Sequence, residues 1–236
     1  MDLEQLVGEA RQRELLHISP RYRTIAVAMV LSDVVEAEDG YTASHCRSVG
    51  ELAVWVADEL GLGRRIRQEL EIVALLHDIG KITIPKEILN KPAELTSDEF
   101  ELMKTHTVEG QALLDQVGGR FARVGRVVRS CHERWDGTGY PDGLEGEEIP
   151  VVARIVFCCD AYSAMTTDRP YRRAMTPGAA LDELSLGSGS QFEPRIVEAL
   201  RQVVALDSYE SVSASRAYGL RPRLGTPLPA DLPASP

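Results

Sequence analysis

The stretch Arg64–Lys81, "RRIRQELEIVALLHDIGK", decides the fold. Apolar residues recur in it at helical spacing and predict one amphipathic helix with a buried stripe. The helix is predicted to end at Gly80, with His77 and Asp78 as its last residues. An imidazole and an adjacent carboxylate can bind the same metal ion, and the second carboxylate oxygen can bind another. The same residues could instead form an ordinary helix C-terminus, with Gly80 turning the chain and Lys81 near the negative end of the helix dipole.

Helical periodicity continues on both sides of this stretch. Apolar residues recur at helical spacing in further segments, which are residues 2–16, 20–37, 42–62, 96–117, 120–135, 151–165, 176–187 and 193–205. Thr96 followed by Asp98 and Glu99 is a strong helix start. No convincing alternation with a period of two residues occurs, so the sequence predicts an all-α bundle.

The composition excludes several classes of function. The 236 residues fit one large domain or one domain with appendages. Their formal net charge of −10 argues against a DNA-binding protein, which needs a broad basic face. No apolar run is long enough to cross a membrane, and the N-terminus lacks the apolar core of a signal peptide. We therefore expect a cytoplasmic protein that binds neither DNA nor membranes.

The adjacent Cys158 and Cys159 lie in an apolar run and are predicted to be buried core residues.

Four of the five histidines fall on four different predicted helices. They are His45, His77, His106 and His132, and Asp160 follows on the next helix. One ligand per helix, at intervals of one helix plus one loop, is how the interior of a helical bundle builds a metal site. A single histidine is more often an ordinary core or surface residue, and we interpret His17 that way.

A glycine-rich loop follows the last histidine. The segment His132–Pro150, "HERWDGTGYPDGLEGEEIP", combines several glycines with Trp135, Tyr140 and Pro141. The glycines permit turns that close on a ligand, whereas the proline and the aromatic residues limit the freedom of the loop. A ligand-binding loop is therefore predicted, and a merely well-packed surface loop is the alternative.

Together these motifs resemble those of HD-GYP domains, the subgroup of HD phosphohydrolases that cleave cyclic di-GMP in bacteria. The matching segments are residues 41–45, 74–106, 132–150, 154–172 and 187–197, and the "GYP" of the name is Gly139–Pro141. The resemblance implies an HD-domain helical bundle with additional C-terminal helices. It places an HD-GYP domain at 41–206, after an N-terminal helical segment (1–40). The Ser- and Pro-rich composition of the remaining tail (207–236) predicts that it is disordered.

The resemblance also implies roles for individual residues. The implied metal ligands are His45, His77, Asp78, His106, His132 and Asp160, with Asp78 bridging two divalent metal ions. Iron and manganese are the leading candidates for these ions. Lys81 matches the lysine that contacts the scissile phosphate, and the substrate contacts are completed by Gly139, Tyr140, Pro141, Arg169 and Arg172. The two arginines could instead be ordinary surface charge.

Four residues depart from the family pattern, among them Ser48, which stands where an arginine is common after the first histidine. Family members usually carry two histidines before Glu133, whereas this chain has Cys131 and then His132. A Cys131 thiolate could be a further metal ligand and would shift the preference toward iron or zinc, or the thiol could simply be buried. Ser163 stands where an aspartate is frequent and Tyr41 where some members have a glutamate. Members with both of those carboxylates can hold a third metal, so two ions are expected here.

The resemblance implies an enzyme that hydrolyses cyclic di-GMP to linear pGpG, and to GMP after a second cut. Its nucleophile would be a metal-activated hydroxide at a two-metal site. The main alternative is a degenerate domain that binds cyclic di-GMP or a partner protein without turnover. A different cyclic dinucleotide or nucleotide is a further alternative for the substrate. Signalling proteins that contact the GYP loop and a homodimer are the other partners considered.

Overall fold

The structure is a computed structural model that describes residues 20–39, 45–168 and 173–217. Its α-helices are α1 (Pro20–Asp39), α2 (His45–Glu59), α3 (Arg64–Leu76), α4 (Lys86–Leu89), α5 (Ser97–Lys104), α6 (His106–Val117), α7 (Arg120–Arg129), α8 (Val151–Thr166), α9 (Pro177–Leu186) and α10 (Pro194–Ala217). Two 3₁₀ helices, Ile79–Thr83 and Gly146–Glu148, lie between them.

The predicted all-α fold is confirmed. In the three described ranges, β pairing is limited to isolated bridges between Asp136 and Glu145 and between Ser188 and Phe192. None of the helices described there is both long enough and apolar enough to cross a membrane. The residues therefore form a helical bundle, as the periodicity of the sequence predicted.

The core lies between α2, α3 and α8, which pack against one another. α1 packs on α3, and α10 packs on α2 and α8, so these helices cover the core from outside. The interior is mainly aliphatic, with Leu70, Leu76 and Ile155 completely buried. Cys158 and Cys159 are also buried and carry free thiols, which confirms the prediction that they are core residues.

Several helices differ in length from the predictions. α3 ends at Leu76, with His77 as its C-cap, rather than continuing to Gly80. The segment predicted as one helix over 96–117 is divided at Thr105 into α5 and α6. α7 ends at Arg129 instead of reaching 135.

Towards the C-terminus, α10 continues to Ala217, past the predicted helix end at 205. The predicted helix over 2–16, His17 and the part of the tail beyond 217 lie outside the described residues. The division of the chain into three segments remains a prediction.

Gly80 holds the turn after α3 against the start of α6. A Cβ atom at this position would lie 1.9 Å from the carbonyl oxygen of His106 and 2.6 Å from the backbone nitrogen of Gly110. Both neighbours are backbone atoms, so no side-chain rotation could relieve the contact. Glycine is therefore required where the residues after Asp78 meet the helix that carries His106.

We predict that Gly80→Ala destabilises the protein by about 3 kcal/mol, because overpacking against backbone forces a shift of α6. Urea unfolding followed by circular dichroism measures the change. Gly178→Ala is the matched control, since a Cβ there would meet nothing within 4 Å. A stability of Gly80→Ala close to that of the control would show that the contact is not tight.

Candidate metal centre

Six of the predicted ligand residues meet in two adjacent groups. The first group is His45, His77 and Asp160, and the second is Asp78, His106 and His132. Within each group the possible ligand atoms all lie within 4.8 Å of one another. Each group therefore has the size and the donor types of a site for one divalent metal ion.

The groups form where the ends of helices converge. His45 and His106 are the first residues of α2 and α6, and His77 is the C-cap of α3. Asp78 follows with φ −101° and ψ 6°, which ends the helix and leads into the 3₁₀ turn. His132 lies just after α7 rather than on it, so the expectation of one ligand per helix holds only approximately.

Hydrogen bonds to the backbone orient two of the imidazoles. The Nδ1 atom of His77 lies 2.8 Å from the carbonyl oxygen of Ala74, and that of His106 lies 2.8 Å from the carbonyl oxygen of Met103. Because a carbonyl only accepts hydrogen bonds, Nδ1 must carry the hydrogen in both rings. The lone pair of each ring is therefore on Nε2, the atom directed into the centre.

The Nε2 atoms of these two rings lack a hydrogen-bond partner in the part of the chain that the structure describes. Among the described residues, the Nε2 atoms of His77, His106 and His132 are buried and have no hydrogen-bond partner. Buried polar atoms are normally satisfied, because leaving one unpaired costs free energy. Several buried imidazole nitrogens facing two carboxylates fit a divalent cation, for which neutral imidazole is a common ligand.

Asp78 belongs to the second group but also faces the first. One of its oxygens, Oδ2, is 3.5 Å from Nε2 of His77 and 2.7 Å from Nζ of Lys81. The other, Oδ1, is 3.6 Å from Nε2 of His106. One carboxylate thus faces an imidazole of each group with a different oxygen.

The electrostatics keep the carboxylates charged and two imidazoles neutral. Burial alone would raise the pKa of Asp78, but Lys81 and the neighbouring imidazoles outweigh it and hold the pKa well below its usual value. Asp160 is buried too, yet its hydrogen bond with His45 and the nearby imidazoles lower its pKa to about 2. Burial lowers the pKa of His106, and lowers that of His132 to about 3. All four side chains are in the protonation state that a metal requires.

Cys131 is the one predicted ligand that the structure does not bring into either group. Its side chain is buried within the hydrophobic core, and its thiol donates to the carbonyl oxygen of Val127 at 3.5 Å. Burial raises the pKa of this thiol, and the negative charges of Asp78 and Asp160 raise it further. Since the thiolate is the form that binds metals, the arrangement favours a protonated core cysteine.

The glycine-rich loop is anchored next to the second group by Glu133. The Glu133 side chain is only 2% exposed and accepts hydrogen bonds from the backbone N–H groups of Asp142 and Leu144. A Cβ atom on Gly139 would lie 2.3 Å from the backbone nitrogen of Arg134, so only glycine fits there. The loop is well packed, as both sequence interpretations allow.

Tyr140 is the loop residue that packs against the metal centre. Its ring stacks on the His132 ring with a centroid distance of 5.2 Å and an interplanar angle of 5°. The peptide bond between Tyr140 and Pro141 is cis. Of the three GYP residues, Tyr140 is the one that lines the cavity described next.

A cavity of about 320 Å³ opens onto the centre. Its polar wall includes Asp78, Lys81 and Asp160, and its apolar wall includes Leu89 and Met103. Its further lining includes Ser32 and Val35 on α1 and Leu95, which precedes α5. The space is large enough for part of a nucleotide beside the metal ligands.

Two predicted substrate contacts cannot be located, and two residues not predicted to belong to the site lie at it. Arg169 and Arg172 lie outside the described residues. Lys91 lines the cavity and pairs with Glu99 at 2.6 Å, yet no motif distinguished this lysine in the sequence. Ser163, noted only as a departure from the family, contacts His45 directly.

The chain is similar to known proteins. The sequence profile described as "HD domain" matches residues 26–196. The cyclic di-GMP phosphodiesterase response regulator RpfG of Xanthomonas campestris pv. campestris is 44% identical over 171 residues, which are 72% of this chain and 45% of that protein. The 3'3'-cGAMP-specific phosphodiesterase 1 of Vibrio cholerae is 35% identical, over 79% of this chain and 44% of that protein. The chain thus spans less than half the length of these two relatives.

A solved structure has the same fold. Bd1817, an HDG"Y"P protein from Bdellovibrio bacteriovorus, superposes with a TM-score of 0.60 at 18% sequence identity. The match covers 86% of this chain and 69% of that one. At this identity the likeness establishes the helical fold and no more.

We predict that Asp78→Ala loses at least half of the metal bound per chain, because both ligand groups face this carboxylate. Inductively coupled plasma mass spectrometry of purified, folded protein measures the content. Cys131→Ala is the matched control, since it truncates a buried neighbour whose thiol faces Val127, and it should keep its metal. Undiminished metal in Asp78→Ala would contradict the centre, and loss of metal from Cys131→Ala would return the thiol to the ligand set.

Proposed function

The chain belongs to the HD domain family, and we propose that it is a metal-dependent phosphodiesterase that hydrolyses cyclic di-GMP. The observation that carries the proposal is the pair of adjacent ligand groups, with Asp78 facing an imidazole of each and with buried imidazole nitrogens directed into them. Its similarity to RpfG, a cyclic di-GMP phosphodiesterase by name, supports the choice of substrate.

Two divalent metal ions would bind, one in each group. His45, His77 and Asp160 would hold the first ion, and His106 and His132 would hold the second. Asp78 would bridge them, a role supported by its two oxygens facing His77 and His106 separately. We leave Cys131 out of this set because its thiol bonds to the backbone of its own turn. With nitrogen and oxygen ligands alone, iron and manganese are both suitable ions.

Bound metal ions would lower the pKa of a coordinated water to about 7, which supplies hydroxide at neutral pH. The protein's own contribution is to position the groups around that nucleophile. The ligands are fixed by buried hydrogen bonds, so little reorganisation is needed during the reaction. Addition of water across one phosphodiester of cyclic di-GMP gives linear pGpG, and a second cut gives GMP.

Lys81 would interact electrostatically with the scissile phosphate of the substrate. Its ammonium group lies 2.7 Å from Asp78 Oδ2 and lines the cavity, so it is within reach of an anion held at the centre. A fixed cation there offsets the negative charge that develops on the phosphoryl oxygens in the transition state. In a chain with a formal net charge of −10, such local cations must supply the attraction for a doubly charged substrate.

The GYP loop and the two arginines would complete the substrate site. Tyr140 lines the cavity and would contact the dinucleotide, whereas Gly139 and Pro141 would shape the loop that presents it. Arg169 and Arg172 remain predicted substrate contacts. Signalling partners at the loop, a homodimer and a cytoplasmic location also remain predictions.

A second substrate is favoured by one observation. A relative that is 35% identical to this chain is named as specific for 3'3'-cGAMP, so the same scaffold can be associated with a different cyclic dinucleotide. Both compounds should therefore be assayed side by side. A domain that binds the dinucleotide without turnover is the remaining alternative, and product formation distinguishes it.

We predict that Lys81→Met lowers the turnover of cyclic di-GMP by about 10²–10³-fold, the usual cost of removing one preorganised charge-stabilising group. Metal content should be unchanged, because Lys81 supplies no atom to either ligand group. Formation of pGpG is measured by chromatography in the same manganese- or iron-loaded preparations.

Lys86→Met is the matched control, since Lys86 is exposed and does not line the cavity. Normal turnover in Lys81→Met would remove this lysine from the mechanism. Absence of any turnover by the metal-loaded wild type, with either cyclic dinucleotide, would favour the non-catalytic domain.

A further inference from the structure

We propose that Ser163 is a positioning residue that fixes the ring of His45, and so builds the first metal position. The inference rests on the proposed metal centre, which it deepens by assigning a residue that acts through a ligand. Ser163 itself contributes no atom to either ligand group.

Helix α8 contacts both nitrogens of the His45 ring. The hydroxyl oxygen of Ser163 lies 3.0 Å from Nδ1, and Oδ1 of Asp160 lies 2.9 Å from Nε2. Ser163 follows Asp160 by one helical turn, so both side chains project from the same face of α8. The ring of His45 is thus located by two groups from one rigid helix.

His45 differs in this respect from the two histidines that the backbone orients. His77 and His106 each bond through Nδ1 to the carbonyl of the residue three positions earlier. α2 begins at His45, and the Nδ1 partner found for it among the described residues is a side chain of another helix. Ser163 therefore performs for His45 what a helical carbonyl performs for the other two.

The chemistry of the ring explains why Nδ1 needs this partner. When Nε2 binds a metal, Nδ1 carries the hydrogen and has to donate it. The Ser163 hydroxyl oxygen can accept it, and both residues are only 8% exposed, so water has little access as a substitute. Without the hydroxyl, Nδ1 would lose this contact, and the ring would be less firmly oriented.

The test compares Ser163→Ala with Thr166→Ala. Thr166 lies one turn further along α8, and its hydroxyl donates to the carbonyl of Tyr162 at 2.9 Å, so the control removes a similar group without touching His45. Manganese is titrated into metal-free full-length protein by calorimetry, and thermal unfolding checks that both variants fold. We expect one of the binding steps to weaken by about 10–100-fold in Ser163→Ala, as for other residues that support a metal ligand.

Wild-type affinity at every step in Ser163→Ala would overturn the proposal. The outcome is separable from a failure of the proposed function, because that failure would show as absent metal binding or absent hydrolysis in the wild type. An equal loss of affinity in Thr166→Ala would also overturn it, since the effect would then be a general one of α8.

A second measurement reports on the ring itself. In protein loaded with zinc as a diamagnetic probe, the Nδ1–H of His45 should give a slowly exchanging resonance in ¹⁵N-histidine spectra. The signal that is missing from the spectrum of His45→Asn is assigned to this ring. We expect the Nδ1–H resonance to be lost by fast exchange in Ser163→Ala and to be kept in Thr166→Ala. Persistence of the resonance in Ser163→Ala would exclude the hydrogen bond between Ser163 and His45.

Discussion

The buried carboxylate of Asp78 is the group around which the rest of this structure is arranged. It is surrounded by imidazoles on two sides and by the Lys81 ammonium at 2.7 Å. A buried anion is stable only when nearby positive charge compensates for lost hydration. The end of α3, the 3₁₀ turn and the close approach at Gly80 together hold the carboxylate at this place.

Much of the fold and site could be predicted because the decisive patterns are local. The helical periods, the pairing of His77 with Asp78 and the spacing of the other histidines can all be seen without a structure. The helix ends were less predictable. The stop of α3 at Leu76 and the division at Thr105 depend on how the turn packs against α6, which involves residues distant in sequence.

Side-chain direction was beyond sequence reasoning. Cys131 and His132 are neighbours, yet Cys131 is buried in the aliphatic core and His132 belongs to the second ligand group. Adjacent side chains project in different directions, and the sequence does not say which of the two faces the metal centre. Glu133 could be recognised only as part of a motif, whereas its buried hydrogen bonds to the loop explain why Tyr140 meets His132. The role of Ser163 depends on a contact 118 residues away in sequence.

The central claim is that one carboxylate joins two metal positions. Anomalous diffraction at the manganese or iron edge, from crystals of the metal-loaded full chain, tests it most directly. The account predicts two anomalous peaks about 3.5–4 Å apart, one beside His45 and His77 and the other beside His106 and His132, with Asp78 contacting both. A single peak that Asp78 does not touch, or metal bound elsewhere in the protein, would contradict it.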